Sequence, residues 1–169
     1  LNKLASNAAW LANGLFKSPA SYLIKGFLGV ASKRSLPKVY SVNYHRFYSQ
    51  LPKPDKPIKE VVLYIDEFSR YLDASLVKSA IEVLNKLGYR LHLVYAESGR
   101  AFISKGFLRQ AKQCDTESLE TFKPYLDQDL VIIGLEPSAI LSFRDEYIRV
   151  LPDDPHVKKL AAKSLLSEE

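Results

Sequence analysis

EVVLYIDEFSRYLDASLVKSAIEVLNKLGYRLHLVY, residues 60–95, decides the fold. Its opening, EVVLYID, carries an unbroken apolar run, as in a strand buried on both faces. DASLVKSAIEVLNKLG (73–88) then changes to helical spacing. Leu76, Val77, Ala80, Ile81, Leu84 and Leu87 fall on one face, Asp73 is placed as the N-cap and Gly88 as the C-cap. YRLHLVY (89–95) returns to a strand. Strand, helix, strand is a βαβ unit.

The pattern continues downstream. Residues 103–126 read as mainly helical, with a break allowed near Cys114-Asp115. DLVIIG (129–134) is a third buried strand, and EPSAILSFRDEYIRVL (136–151) is a helix with Pro137 in its first turn. Residues 155–167 form another helix that stops at the acidic SEE. This βαβαβα order predicts an α/β fold: a small three-layer parallel sheet with right-handed crossovers.

Upstream, residues 1–50 form a helical and irregular extension. Leu1, Leu4, Ala8, Leu11 and Leu15 repeat at helical spacing. KSPASYLIKGFLG restarts the pattern, with Ser18 as cap, Pro19 in the first turn and Gly29 at the end. SLPKVYSVNYHRFYSQ has no clean period. Its rings, Tyr40, Tyr44, His45, Phe47 and Tyr48, suit packing onto a neighbouring domain. LPKPDKPIK (51–59) is a Pro/Lys linker, and residues 60–169 are the α/β domain.

Composition narrows the function classes. The chain has 169 residues, 47% of them hydrophobic, enough for one compact domain with an appendage. The net charge of +5 is spread along the chain apart from Lys33-Arg34 and the linker lysines, so it reads as a solvated basic surface without nucleic acid as a partner. One cysteine, Cys114, excludes an internal disulfide and a cysteine-rich metal site. The apolar runs fall well short of the roughly 20 residues of a membrane helix. The N-terminus does not read as a signal peptide. A reducing, cytoplasmic setting follows. The start at Leu1 suggests a fragment of a longer chain.

Open parallel sheets bind ligands outside the carboxyl ends of their strands. Three loops leave those ends: IDEFSR (65–70), AESGR (96–100) and GLEPSA (134–139). They gather Asp66, Glu97, Ser98, Arg100, Glu136 and Ser138. An anion site could use Gly99, the Ser98 and Ser104 hydroxyls, Arg100 and Lys105. The Walker A spacing fails in GRAFISKG, and no GxGxxG occurs. The plainer reading makes Ser104 a helix cap and Gly99 a turn. A divalent cation could use Asp66, Glu97 and Glu136. Against that, such carboxylates cap helices or pair with Arg70, Arg100 and Arg144. His45, His92 and His156 have no evident Ser or Cys partner for nucleophilic catalysis. FRDEY reads as an ion-paired helix surface.

The stretch from VVLYIDEFSRYLD through AESGRAFISKGFLRQAK to VIIGLEPSAILSFRDEY resembles the cysteine-rich CCG domain of iron–sulfur oxidoreductases. More closely, it resembles the C-terminal part of large FAD-linked oxidases of the D-lactate and glycolate dehydrogenase type. The resemblance covers residues 60–151, and Gly99, Arg100, Ser104, Lys105 and Gly106 match it. Where that family has Cys-Cys-Gly-Arg, this chain has Glu97, Ser98, Gly99 and Arg100. Its Pro-Ser-Cys is here Pro137, Ser138 and Ala139, and a cysteine of some relatives corresponds to Asp66. Clusters need thiolates. The resemblance therefore implies a module whose former cluster positions, Asp66, Glu97, Ser98 and Ala139, no longer hold one. It implies no cofactor in this fragment, and FAD and iron–sulfur clusters elsewhere in the full-length chain. Its partners would be the flavin and ferredoxin-like domains of the same polypeptide, with homo-oligomerisation open. Arg100, Lys105 or Arg144 would help close a pocket over a carboxylate substrate. Alone, the fragment would be inactive. The alternatives are a small-anion or divalent-metal module at the strand ends, and a protein-interaction domain.

Overall fold

The computed structural model describes residues 6, 8–19, 21–27, 29, 31 and 33–169; Leu1 and Leu4 of the expected N-terminal repeat lie outside the described residues. In chain order the elements are α1 (Ala9–Lys17), α2 (Ser21–Phe27), α3 (Tyr44–Ser49), β1 (Glu60–Ile65), α4 (Glu67–Leu72), α5 (Ala74–Lys86) and β2 (Arg90–Tyr95). There follow α6 (Arg100–Ile103), α7 (Leu108–Asp127), β3 (Val131–Gly134), α8 (Pro137–Ile140), a 3-10 turn (Leu141–Arg144), α9 (Glu146–Val150), α10 (Pro155–Lys163) and β4 (Ser164–Leu166).

The fold is α/β. Among the described residues the sheet has four strands, all parallel, in the order β2-β1-β3-β4, with Val62 opposite both His92 and Ile132. The chain moves one way from β1 to β2 and the other way from β2 to β3. Right-handed crossovers then place the two connections on opposite faces. Val61, Leu63 and Ile65 of β1 pack with Val77 and Ile81 of α5, while Val62 and Tyr64 pack with Leu119 and Phe122 of α7 and Leu160 of α10. Both faces of β1 are buried, and the pleat sends alternate residues to the two cores.

The α5 signals hold in part. The Asp73 carboxylate accepts from the Leu76 amide at 3.1 Å, and Gly88 takes φ 91° just past the helix end. The buried face is Ala74, Val77, Ile81 and Asn85, whereas Leu76 and Leu87 are exposed. The expected stripe was drawn too wide, because only the face over β1 and β2 meets the sheet.

Three further expectations need correction. The helix of 155–167 ends at Lys163, and Ser164–Leu166 joins the sheet beside β3. The Ser164 hydroxyl donates to the Leu160 carbonyl at 2.7 Å while the Ser164 carbonyl accepts from Arg144 Nε at 2.9 Å, which turns the chain out of the helix. The helix of 136–151 is broken into α8, the 3-10 turn and α9. The Ser142 hydroxyl takes the Ala139 carbonyl at 2.6 Å, competing with the helical ladder there. No break occurs at Cys114-Asp115: both are buried in a continuous α7. The discontinuity falls earlier, at Gly106, whose φ of 77° separates α6 from α7.

The aromatic segment packs on this chain's own sheet. Tyr44 is fully buried beside Leu63 and Ile65, and the Tyr48 hydroxyl accepts from the Leu91 amide at 3.0 Å. Farther upstream, the Asn13 amide exchanges two hydrogen bonds with the Val39 backbone, at 2.7 and 2.9 Å. Trp10, Leu11, Tyr22 and Leu23 remain exposed. Among the described residues no helix is long and apolar enough to cross a membrane.

Candidate functional site at the carboxyl ends of the strands

At the end of β1, Asp66 caps α4. Its carboxylate accepts from the Phe68 amide (2.8 Å), the Ser69 amide (3.0 Å) and the Ser69 hydroxyl (2.6 Å), and the side chain is fully buried. Burial raises its pKa, and these bonds oppose the rise. Asp66 thus spends its acceptors on its own helix.

Glu67, the next residue, was not singled out from the sequence. Its carboxylate accepts from both the Ser98 amide (2.8 Å) and the Ser98 hydroxyl (2.6 Å), tying the β1 end to the β2 end. Burial raises its pKa against these two bonds. The signal was a second carboxylate in the helix's first turn. Its partner, 31 positions away, could not be read from spacing.

Ser98 and Gly99 are buried at the end of β2. Gly99 takes φ 69° and precedes α6, and the Arg100 amide donates to the Ser98 hydroxyl at 3.3 Å. The Arg100 guanidinium pairs with Glu146. The Glu97 side chain is exposed, and its carbonyl accepts from the Ser118 hydroxyl (2.6 Å) and the Cys114 thiol (3.7 Å). Burial pushes the Cys114 thiol up to about 12, so it is protonated and a poor nucleophile at neutral pH. Behind the loop lies Asp115, fully buried, its two carboxylate oxygens without hydrogen-bond partners. Burial raises its carboxyl to about 7; the Tyr147 hydroxyl, which lies close enough to oppose the rise, donates instead to the Ser98 carbonyl at 3.4 Å.

The remaining sequence candidates are held by partners of their own or buried without a donor, apart from Lys105 and Gly106. The Glu136 carboxylate accepts from the Ser138 hydroxyl (2.8 Å) and amide (3.4 Å), capping α8. Ala139 is fully buried in the core. Ser104 closes α6 with its hydroxyl on the Ala101 carbonyl at 3.3 Å, and Lys105 and Gly106 are exposed on the following turn. Arg144 holds Ser164 and also Glu169, at 3.2 and 2.6 Å.

Among the described residues, no three His, Cys, Asp or Glu side chains come together as a metal site. The donors do not fit an iron–sulfur cluster either. Ser98 is held by Glu67, Asp66 is capped into its helix, Ala139 has no donor, and the Cys114 thiol is buried and protonated.

A cleft of about 460 Å³ opens between the β1 and β2 ends and α7. Arg70, Tyr71, Tyr95, Glu97, Phe102 and Gln110 contribute to its wall. The Arg70 guanidinium lies 4.3 Å from the Tyr95 ring centre and 5.1 Å from that of Tyr71. From the sequence, Arg70 was read only as an available counter-ion.

No family model matches the chain, and no solved structure does. Curated proteins do match. The D-2-hydroxyglutarate dehydrogenase of Pseudomonas putida is 29% identical over 98 residues, which is 57% of this chain and 10% of that protein. The enzyme of the same name from Pantoea ananatis is 28% identical over 94 residues (55% and 9%), and that from Escherichia coli 25% over 101 (59% and 10%). The chain spans about a tenth of the length of these relatives. It is similar to a short part of D-2-hydroxyglutarate dehydrogenases.

Proposed function

We propose that this chain is part of a larger FAD-linked oxidoreductase that oxidises a 2-hydroxy acid. The similarity to D-2-hydroxyglutarate dehydrogenases, which covers more than half of the chain, carries the reading. In this reading residues 60–169 are a CCG-like module without a cluster, residues 51–59 a linker, and residues 1–50 an extension. FAD and iron–sulfur clusters belong to other, flavin-binding and ferredoxin-like, domains of the same cytoplasmic polypeptide.

The module's own contribution is then structural. It packs against those domains and helps close the substrate pocket. Exposed Trp10, Tyr22 and Leu23 favour packing by the extension. Arg100 and Arg144 already hold Glu146 and Glu169, so either would have to exchange partners to meet a substrate carboxylate. Lys105 is exposed and could meet one directly.

Anaerobic purification of the full-length polypeptide tests the reading. Flavin absorbance and dye reduction dependent on a 2-hydroxy acid are expected. A full-length protein without flavin, or one inert to 2-hydroxy acids, overturns it. Separately, a stoichiometric cluster formed on this chain with iron and sulfide would overturn the cluster-free part.

A further inference from the structure

We propose that the cleft beside β2 is a binding site for a small monocarboxylate bearing a neighbouring hydroxyl or ammonium, with Arg70 taking the carboxylate and Glu97 the donor group. The site lies at the β1 and β2 ends, one strand over from the β1–β3 junction where the crossovers change direction and where sheets of this kind usually hold ligands.

Arg90, Arg100, Arg144 and Arg149 each pair with a carboxylate. Among the described residues Arg70 has none, like Arg34, Arg46 and Arg109, but those three are exposed, whereas Arg70 is only partly exposed and lines a cleft. Its guanidinium sits over the Tyr95 ring and close to that of Tyr71, a cation–π arrangement that restrains it. A planar guanidinium fork is the geometry that meets a carboxylate through two parallel hydrogen bonds. Arg70 is also fixed from behind: it begins the last turn of α4, and its carbonyl accepts from the buried Tyr44 hydroxyl at 3.2 Å. The cation is therefore ordered before any ligand arrives, which lowers the cost of binding.

The rest of the wall selects among anions. Arg70 is the cation of the lining, and Glu67, Glu97 and Glu117 are its carboxylates. A phosphate dianion or a dicarboxylate would meet repulsion there. A monocarboxylate would not, provided its other end offers a donor. Glu67 is occupied by Ser98, and Glu117 accepts from Gln113 at 3.0 Å. Glu97 has no ion-pair partner among the described residues and is exposed at the mouth. Phe102 and Ile65 add apolar surface to the same wall. A 2-hydroxy acid and an amino acid share this chemistry, a carboxylate with a donor beside it.

The inference stands on this geometry and not on the oxidoreductase reading, so binding is measured on the chain itself, without turnover. Calorimetric titration of the 169-residue chain with glycolate, glycine, acetate, D-2-hydroxyglutarate and inorganic phosphate is the experiment. Saturable binding of glycolate or glycine is expected, several-fold tighter than acetate, phosphate or D-2-hydroxyglutarate. Which of the two binds distinguishes the hydroxy acid from the amino acid. Arg70→Gln should weaken it by about tenfold or more, the loss of a charge-assisted bond. Arg70→Lys, which keeps the charge and most of the stem, should fall between. Glu97→Gln lies at an exposed position that leaves the fold intact, and it should abolish the preference over acetate. No saturable binding, a preference for phosphate or the dicarboxylate, or affinity unchanged in both Arg70→Gln and Glu97→Gln overturns the proposal. Dehydrogenase activity of the full-length polypeptide has no bearing on these outcomes, so the two readings fail separately.

Discussion

The carboxylate of Asp115 occupies the space that a side chain at position 99 would need: a Cβ on Gly99 would lie 2.1 Å from Asp115 Oδ1. Gly99 is required twice over, because its φ is also 69°. Gly99→Ala should therefore destabilise the fold by about 2–4 kcal/mol, combining left-handed strain with overpacking. Asp115→Ala clears the overlap but leaves the backbone strain. In a double-mutant cycle, the added cost of Gly99→Ala should drop to about 1 kcal/mol in the Asp115→Ala background. Urea midpoints measure all four corners. Equal costs in both backgrounds would show that the contact is not the source.

Asp115 also gives stability a pH dependence. Burial raises its carboxyl from 3.8 to about 7. The folded state therefore holds a proton that the unfolded chain releases. Stability is highest while both states are protonated, falls as pH rises above about 4, and levels off beyond about 7. The groups facing Asp115 leave this window intact. Tyr147 and Cys114 are raised and stay neutral through it, and Glu146 acts in the same direction as burial. Asp66 and Glu67 are raised too and steepen the acid side. Between pH 5 and pH 8 the loss should be about 2 kcal/mol, and Asp115→Ala should flatten most of it. Thermal or urea unfolding across that range checks the slope. A wild-type chain that gains stability toward pH 8 contradicts it.

How much of this was legible depended on the reach of each signal. β1 and β3 announced themselves as continuous apolar runs, and Asp73 and Gly88 marked α5 through bonds within a few residues. β4 was not legible, since three residues after a helix carry too little pattern to separate a strand from a last turn. The loop residues at the sheet's edge were found by the rule for parallel sheets, but their pairings were not. Glu67 meets Ser98, Arg100 meets Glu146, and Arg144 meets Glu169, all across long stretches of chain. Asp115 carried no signal of its own beyond the allowed helix break. Only the packing of α7 under the Gly99 loop shows it to be buried.

The Glu67–Ser98 connection should behave as a buried hydrogen-bonded tie. Glu67→Ala leaves the Ser98 amide and hydroxyl without their acceptor and should cost about 2–3 kcal/mol. Glu67→Gln keeps an acceptor for the amide and gives the hydroxyl a donor to receive, so it should cost under about 1 kcal/mol. Hydrogen exchange at the Ser98 amide distinguishes a local from a global effect. It should accelerate more than the β1 amides in Glu67→Ala and little in Glu67→Gln.

Arg144 offers the opposite balance between a surface ion pair and a hydrogen bond to backbone. Its pair with Glu169 is about a third exposed on each side (32% and 40%) and contributes little by itself. Its Nε bond to the Ser164 carbonyl anchors the first residue of β4, and Ser164 is fully buried. Glu169→Gln should therefore change stability by less than about 0.5 kcal/mol. Arg144→Met should cost about 1–2 kcal/mol through the stranded carbonyl. The damage should centre on the β3–β4 edge, where β4 is held over only three residue pairs, Ile132–Ser164 to Gly134–Leu166. Faster amide exchange at residues 164–166, with β1 unaffected, is the expected pattern. Equal losses in Glu169→Gln and Arg144→Met would assign the anchoring to the ion pair instead.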